Sequence, residues 1–435
     1  MVARRELLRG TAAVGVSAVT GGALAGGPAA PASAGGERRQ TWRMGLSRLH
    51  DAMAARVAQG KLVGIVYLVA HRNMVHVGTI GTRTLHGPEP MRRGTPFRIA
   101  SMTKPIIASA AMMLVEDGRL ALHEPVDRLL PELADRRVLK RVDGPLDQTV
   151  PAARPITVED LLTFRAGHGI IFEPSFQPPY PVIEAANNLR LALAEPDPRT
   201  PHEPDEWIRR FGSLPLMYQP HERWQYNTGS LVLGVLIARA SGRPLEDFLR
   251  ERVFRPLGMR RTGFSLPAAD ALRMPGLYAA DPRTGGLRQQ PFSLPQEWTR
   301  PPAFPSGAAG LASTVDDYLA FSRMLLHRGT HHGRRLLSAE SARLLTTNHL
   351  TPWQLASAGP FPLTGRGWGY GMGVSVVPDA ISEPGRYGWE GGYGTSWFTD
   401  PNRELTAIAL TQTVDFLFDG GSEEFQRLAA ATVRR

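Results

Sequence analysis

The sequence contains no cysteine, which excludes disulfide staples and thiolate metal sites and leaves the redox compartment unreadable. Lysine is nearly as scarce. Lys61, Lys104 and Lys140 are the only three in 435 residues, so arginine carries almost all of the net charge of +10. Those arginines are scattered, with no basic stripe interleaved with aromatics, which argues against a nucleic-acid partner. Apart from the N-terminal leader, no stretch reaches the length of a membrane span, which argues against stable membrane insertion. There is no His-Glu-x-x-His pattern; His327, His331 and His332 stand in a Gly/Arg-rich segment that reads as a solvated turn, and no metal is expected. The Gly-x-Ser-x-Gly elbow of the α/β-hydrolases is missing too. Internal repeats are absent. What remains, 42% hydrophobic and 21% charged, is a globular composition in a chain long enough for two or three lobes.

Against that scarcity of lysine, Ser101-Met102-Thr103-Lys104 stands out. With three lysines and twenty-one serines, chance supplies roughly 0.15 Ser-x-x-Lys matches in the chain. At the start of a helix the two side chains share a face, one turn apart. A serine hydroxyl becomes nucleophilic when a base takes its proton, and a lysine serves if desolvation or neighbouring charge lowers its pKa. The plain alternative is a helix-capping serine followed by a solvated lysine. The context weighs against it. Ile106 to Val115 is apolar nearly all round and is followed by Glu116-Asp117-Gly118, a stop with glycine at the C-terminal cap, so the helix belongs inside the protein.

The ends of the chain have distinct patterns. Arg4-Arg5-Glu6-Leu7-Leu8-Arg9, a weakly apolar run and Ala32-Ser33-Ala34 read as a secretory leader over residues 1–34, and the paired arginines predict export by the twin-arginine machinery to the cell envelope or medium. Helical spacing follows from Thr41 to Ala58. Strands are predicted at Leu62–Ala70 and Val75–Ile80, then again at Gly371–Val377, Thr395–Thr399 and Leu405–Thr411, with a last helix near Glu423–Val433. Residues 119–300 read as helices and loops, clearest at Ile156–Phe164 and Ser230–Ala240, with Pro174–Pro204 as an irregular insertion. A helix cap at Thr314 opens apolar spacing that continues to Leu326. This pattern predicts an α+β fold in which segments 41–118 and 301–435 form one lobe around an antiparallel sheet and 119–300 form an inserted, mostly helical lobe.

Two further segments carry chemistry. Tyr226, in Gln225-Tyr226-Asn227-Thr228-Gly229, sits in a turn before a helix; beside a lysine cation a phenol is drawn towards phenolate and can act as base, then acid. Tyr387-Gly388-Trp389-Glu390-Gly391-Gly392-Tyr393-Gly394 is a glycine-rich strand end able to approach a substrate closely and present backbone N–H groups.

Together these segments resemble the serine β-lactamase and penicillin-binding superfamily, in its class C-like branch with the family VIII carboxylesterases and D-amino-acid peptidases, from about Leu46 to Gln412. Phe97-Arg98-Ile99-Ala100-Ser101-Met102-Thr103-Lys104-Pro105 matches the Ser-x-x-Lys box with its flanks. Glu124-Pro125-Val126, Ile156–Leu162 and Gly310–Thr314 match further landmarks. The resemblance implies a β-lactamase/transpeptidase-like fold with Ser101 as nucleophile, Lys104 as its base partner and Tyr226 as general base or acid. It also implies an oxyanion hole from the amides of Ser101 and Gly392, substrate contacts at Thr228, Trp389, Gly391 and Gly392, and no cofactor. Departures from the β-lactamase pattern are informative. Thr228 holds the place of the asparagine in Tyr-x-Asn, with Asn227 just before it. Trp389-Glu390-Gly391 replaces Lys-Thr-Gly, as in the esterase members, and Phe164-Arg165-Ala166-Gly167 replaces His-Thr-Ser-Gly. Small-molecule carboxylic esters are therefore the leading expected substrates, D-amino-acid amides second and β-lactams third. A covalent penicillin sensor without turnover is the alternative of a different class. An indole at Trp389 is expected to offer a flat apolar wall to the acyl or alkoxy chain.

Overall fold

Strand β1 (Gly64–His71) is apolar at almost every position because both of its faces are covered. Val66, Leu68 and Ala70 enter one apolar core, and Ile65, Tyr67 and Val69 enter another on the opposite side. Alternation along a strand produces this division. A computed structural model of the chain describes residues 33–170, 180–193, 200–292, 294–358, 363, 365–379 and 381–433. The chain divides into two units, Met1–Gln40 and Thr41–Arg435. The described part of the first is the opening of helix α1 (Ser33–Ala58). The rest of the predicted leader, with its paired arginines, lies outside the described residues.

In the second unit β1 pairs antiparallel with β2 (Met74–Gly81) on one side. The remaining strands come from the far end of the chain: β3 (Arg366–Trp368), β4 (Gly373–Ser375), β5 (Tyr387–Gly391), β6 (Thr395–Asp400) and β7 (Leu405–Leu410). The seven-stranded order is β3-β4-β5-β6-β7-β1-β2, so the sheet closes by pairing β7 with β1, with Val66 opposite Leu410 and Ala70 opposite Thr406. This is the predicted assembly from distant segments, with β3 as an addition to the strands expected. A turn at Asp400–Arg403 joins β6 to β7, and the Asp400 carboxylate accepts from the Asn402 and Arg403 amides.

One face of the sheet is covered by α1 and by α6 (Gly421–Ala430), through Leu49, Met53, Phe425 and Ala429. The other face meets α2 (Thr103–Glu116) and α5 (Val315–Leu326). Helix α5 starts where predicted, with the Thr314 hydroxyl accepting from the Asp317 amide. Twelve of the fourteen residues of α2 are buried, which is why its sequence lacks a polar stripe. Its second long neighbour is α4 (Thr228–Ser241), which Gly242 ends in a left-handed conformation. Helix α3 (Val158–Leu162) packs on α4 and opens with a capping box between Thr157 and Asp160.

Three expectations change. The Pro174–Pro204 stretch is not irregular throughout: a helix spans Pro181–Asn188, started by a proline at its first position. Residues 171–179 and 194–199 lie outside the described residues. The middle segment also contains two small hairpins, Arg137–Leu139 with Thr149–Pro151 and Tyr278–Ala280 with Leu287–Gln289. His331 is not solvated; it is buried in a short ribbon formed by Thr330–His331 and Arg334–Arg335.

Candidate active site

Ser101 lies in a single 3₁₀ turn, Ala100–Met102, that runs into α2. Pro105 is accommodated because it sits in the first helical turn, where its missing N–H has no intrahelical partner to lose. The turn is held on several sides. The Tyr318 hydroxyl donates to the Met102 carbonyl at 2.9 Å, the Leu311 amide donates to Thr103 Oγ1 at 3.2 Å, and the Ile99 amide donates to the Leu311 carbonyl at 3.0 Å. Ala100 carries φ +43°, a left-handed conformation that costs a non-glycine residue about 1–3 kcal/mol. Asn227 beside the tyrosine (φ +84°) and Phe164 (φ +59°), whose ring meets Tyr226 edge to face, are left-handed too.

Lys104 is fully buried, and its Nζ lies 2.8 Å from Ser101 Oγ and 2.7 Å from the Ala308 carbonyl oxygen. Among the described residues no carboxylate pairs with it. Burial therefore pushes its pKa well below the usual lysine value, which favours the neutral amine. The sequence spacing places serine and lysine together, and the fold supplies the desolvation that disfavours the charged amine.

Tyr226, just before α4, reaches the same point, and its hydroxyl is hydrogen-bonded to Ser101. Trp389 Nε1 donates to the Tyr226 oxygen at 2.7 Å. Burial dominates the titration of this phenol and raises its pKa above the ordinary value, while the bonds from Ser101 and Trp389 oppose that rise. The expectation of a lysine-stabilised phenolate is thus reversed. Lys104 Nζ lies over the face of the Tyr226 ring, 4.6 Å from its centroid, and burial disfavours its charged form.

The third box is also reassigned in part. Trp389 is only 3% exposed and presents its N–H edge to Tyr226. It belongs to an aromatic cluster with Phe164, Trp224, Tyr226 and Trp368, in which Trp368 meets Trp389 edge to face at 4.6 Å. It positions the tyrosine instead of lining open space. Gly391 is buried as well: a Cβ there would strike the Ile99 carbonyl and the Thr395 hydroxyl, so glycine lets β5 close on the serine turn. Gly392, by contrast, is exposed, and a Cβ there would meet nothing within 4 Å. Thr228 is the buried first residue of α4, and the Asn227 carboxamide donates to the Leu193 carbonyl at 2.6 Å. Neither residue offers an exposed amide in the place of the β-lactamase asparagine.

Sequence reasoning missed the Ala308 carbonyl, Trp368 and the anchor behind β5. There Glu390 takes two bonds from Arg366 at 2.9 and 3.0 Å and one from Gln426 at 2.9 Å, on the strand position next to Trp389. Only the alternation of Trp389 and Glu390 hinted that the two would face opposite ways.

An antiparallel sheet flanked by helices, with a Ser-x-x-Lys pair whose lysine is buried meeting a tyrosine and a glycine-rich strand end, defines the β-lactamase/transpeptidase-like class of serine enzymes. The Beta-lactamase family pattern matches residues 49–432. The chain is 40% identical to Protein Rv1367c of Mycobacterium tuberculosis over 81% of this chain and 86% of that one. It is 31% identical to Esterase EstB of Burkholderia gladioli over 84% and 90%, respectively. Among solved structures, EstCE1, a hydrolase with promiscuous acyltransferase activity, superposes with a TM-score of 0.74 at 25% identity, covering 91% of this chain and 98% of its own. The chain belongs to the beta-lactamase family and is a serine hydrolase.

Proposed function

We propose that the protein hydrolyses small carboxylic esters through an acyl-enzyme on Ser101. The observation that carries this reading is the buried amine of Lys104, 2.8 Å from Ser101 Oγ and without a carboxylate partner among the described residues. The neutral amine takes the serine proton as Oγ bonds to the ester carbon, and the carbonyl pair moves onto oxygen. The amides of Ser101 and Gly392 receive that oxyanion. Its collapse expels the alkoxide, which takes the Tyr226 proton. Lys104 then returns its proton to the tyrosine. Water repeats the sequence on the acyl-enzyme and releases the acid.

The esterase relative supports esters over lactams, and so does the third box. With Trp389 in place of lysine, that position has no ammonium to pair with a β-lactam carboxylate, a bond worth roughly 1.5–3 kcal/mol, or about ten- to a hundredfold. Steady-state assays should therefore give kcat/KM for p-nitrophenyl butyrate at least about tenfold above that for nitrocefin. Faster nitrocefin turnover overturns the ester reading, and a single burst of nitrophenol without continued release would favour a covalent sensor.

Export is a separate proposal, supported by Arg4-Arg5 ahead of the apolar run and Ala32-Ser33-Ala34. Arg4→Lys with Arg5→Lys keeps the charge and should hold the protein in the cytoplasm, as read by fractionation. Unchanged secretion of the double variant would sink the twin-arginine route.

A further inference from the structure

Gln412, two residues beyond β7 and outside every motif discussed above, is buried and spends its whole carboxamide on the backbone around the site. Its Oε1 accepts from the Arg98 amide at 3.3 Å and from Arg98 Nη1 at 2.9 Å. Its Nε2 donates to the carbonyls of Arg98 at 3.3 Å, Tyr393 at 3.4 Å and Thr411 at 2.6 Å. The opposite amide orientation would set oxygen against three carbonyls and N–H against an amide and a guanidinium, so the chemistry fixes this one. The side chain thus acts as an added strand residue, meeting both backbone groups of Arg98, three positions before Ser101. The same nitrogen also holds the carbonyl of Tyr393, the residue after Gly392.

Neighbouring bonds reinforce the tie. The Thr395 hydroxyl donates to the Ile99 carbonyl at 3.2 Å, and the Thr411 hydroxyl donates to the Gly394 carbonyl at 2.7 Å. Gly394, at φ +85°, turns the 391–394 loop back by donating to the Gly391 carbonyl at 2.9 Å. Two chain segments that meet nowhere in sequence, 98–101 and 391–394, are therefore fastened to one side chain.

We propose that Gln412 is a positioning residue that sets the separation of the Ser101 and Gly392 amides, and so the fit of the oxyanion; this rests on the acyl-enzyme reading above. It touches no reacting atom. A hole donor displaced by about an ångström costs on the order of a hundredfold in rate. Gln412→Glu keeps the shape and both acceptor contacts but loses all three donor contacts and turns negative oxygen towards three carbonyls. Gln412→Met keeps the length and loses both kinds.

The test is steady-state hydrolysis of p-nitrophenyl butyrate by the full-length protein, with active sites counted by a fluorophosphonate and folding followed by thermal melting. Stoichiometric labelling of wild type and none of Ser101→Ala establishes the underlying reading independently; without that result, it is the reading that fails. The expected result for both variants is a kcat per titrated site lowered by about ten- to a hundredfold. KM should stay within about twofold, and in the uncharged Gln412→Met variant the acid limb of the pH profile should not move, because Lys104 and Tyr226 are untouched. A folded variant with wild-type kcat overturns the proposal. So does a loss in Gln412→Met accompanied by a shifted acid limb, which would place the effect on Lys104. Failure of both variants to fold would give Gln412 a purely structural role, and that also overturns it.

Discussion

Ser101→Ala should lower kcat/KM for p-nitrophenyl butyrate by about a thousandfold or more while leaving the folded structure in place. The nucleophile cannot be replaced, because the neighbouring hydroxyls are already committed. Thr103 Oγ1 accepts from Leu311, and the Tyr226 oxygen accepts from Trp389. The structural cost is small for two reasons. Ser101 is only half-buried, and the turn that carries it is held by the Tyr318, Thr103 and Ile99 backbone ties, none of which uses the serine hydroxyl. The melting temperature should stay within about 3 °C of wild type. Retention of more than a few per cent of the wild-type rate, in protein free of wild-type contamination, would remove Ser101 from the chemistry.

That residue was visible in the sequence because its partner is local. Lys104 lies three positions away on the same turn, and lysine is so rare here that the spacing carried weight. The buried strand β1 was visible for a comparable reason, since covering both faces leaves one unbroken apolar run. Contacts made across the sheet were not visible. Trp389 meets Tyr226 from 163 positions away, and no local pattern records that the indole edge, not its face, would turn towards the site. The same limit hid Ala308 and Gln412, whose contributions are a carbonyl and a carboxamide with no motif of their own. The direction of the tyrosine pKa is not legible in the sequence, which holds the neighbours but not their orientation. A lysine over the ring face and stripped of water does not favour phenolate as a solvated ammonium beside the oxygen would. The helix at Pro181–Asn188 was missed because it is short and set between prolines.

Lys104→Met should abolish activity to a similar degree, yet relieve a cost that the wild-type fold carries. The amine is buried with only the Ser101 hydroxyl and the Ala308 carbonyl as hydrogen-bond partners, so folding must either bury a cation or release its proton. In the unfolded chain the same lysine titrates near its ordinary value of about 10.4. Between the lowered folded value and that one, the unfolded state binds more protons, so wild-type stability rises with pH across that window. Below it, both states are protonated and the penalty is constant and largest. A methionine has no proton to release, and it fills nearly the same volume. Its own cost is an Ala308 carbonyl left without a donor, about 1–3 kcal/mol and independent of pH. The stability of the Lys104→Met variant relative to wild type should therefore be greatest below the lowered folded-state pKa of Lys104 and decline above it towards about pH 10, where the unfolded lysine begins to lose its proton. Denaturant melts at several pH values will show whether it does. Parallel stability curves for the two proteins would mean that Lys104 keeps its ordinary pKa inside the fold and could not serve as the base. Lys104→Arg separates charge from basicity: a guanidinium retains the positive potential but stays protonated at any working pH, so it too should be nearly inactive. Full activity in the arginine variant would leave Lys104 a source of positive potential only and would move the base to Tyr226, against the direction in which burial shifts that phenol.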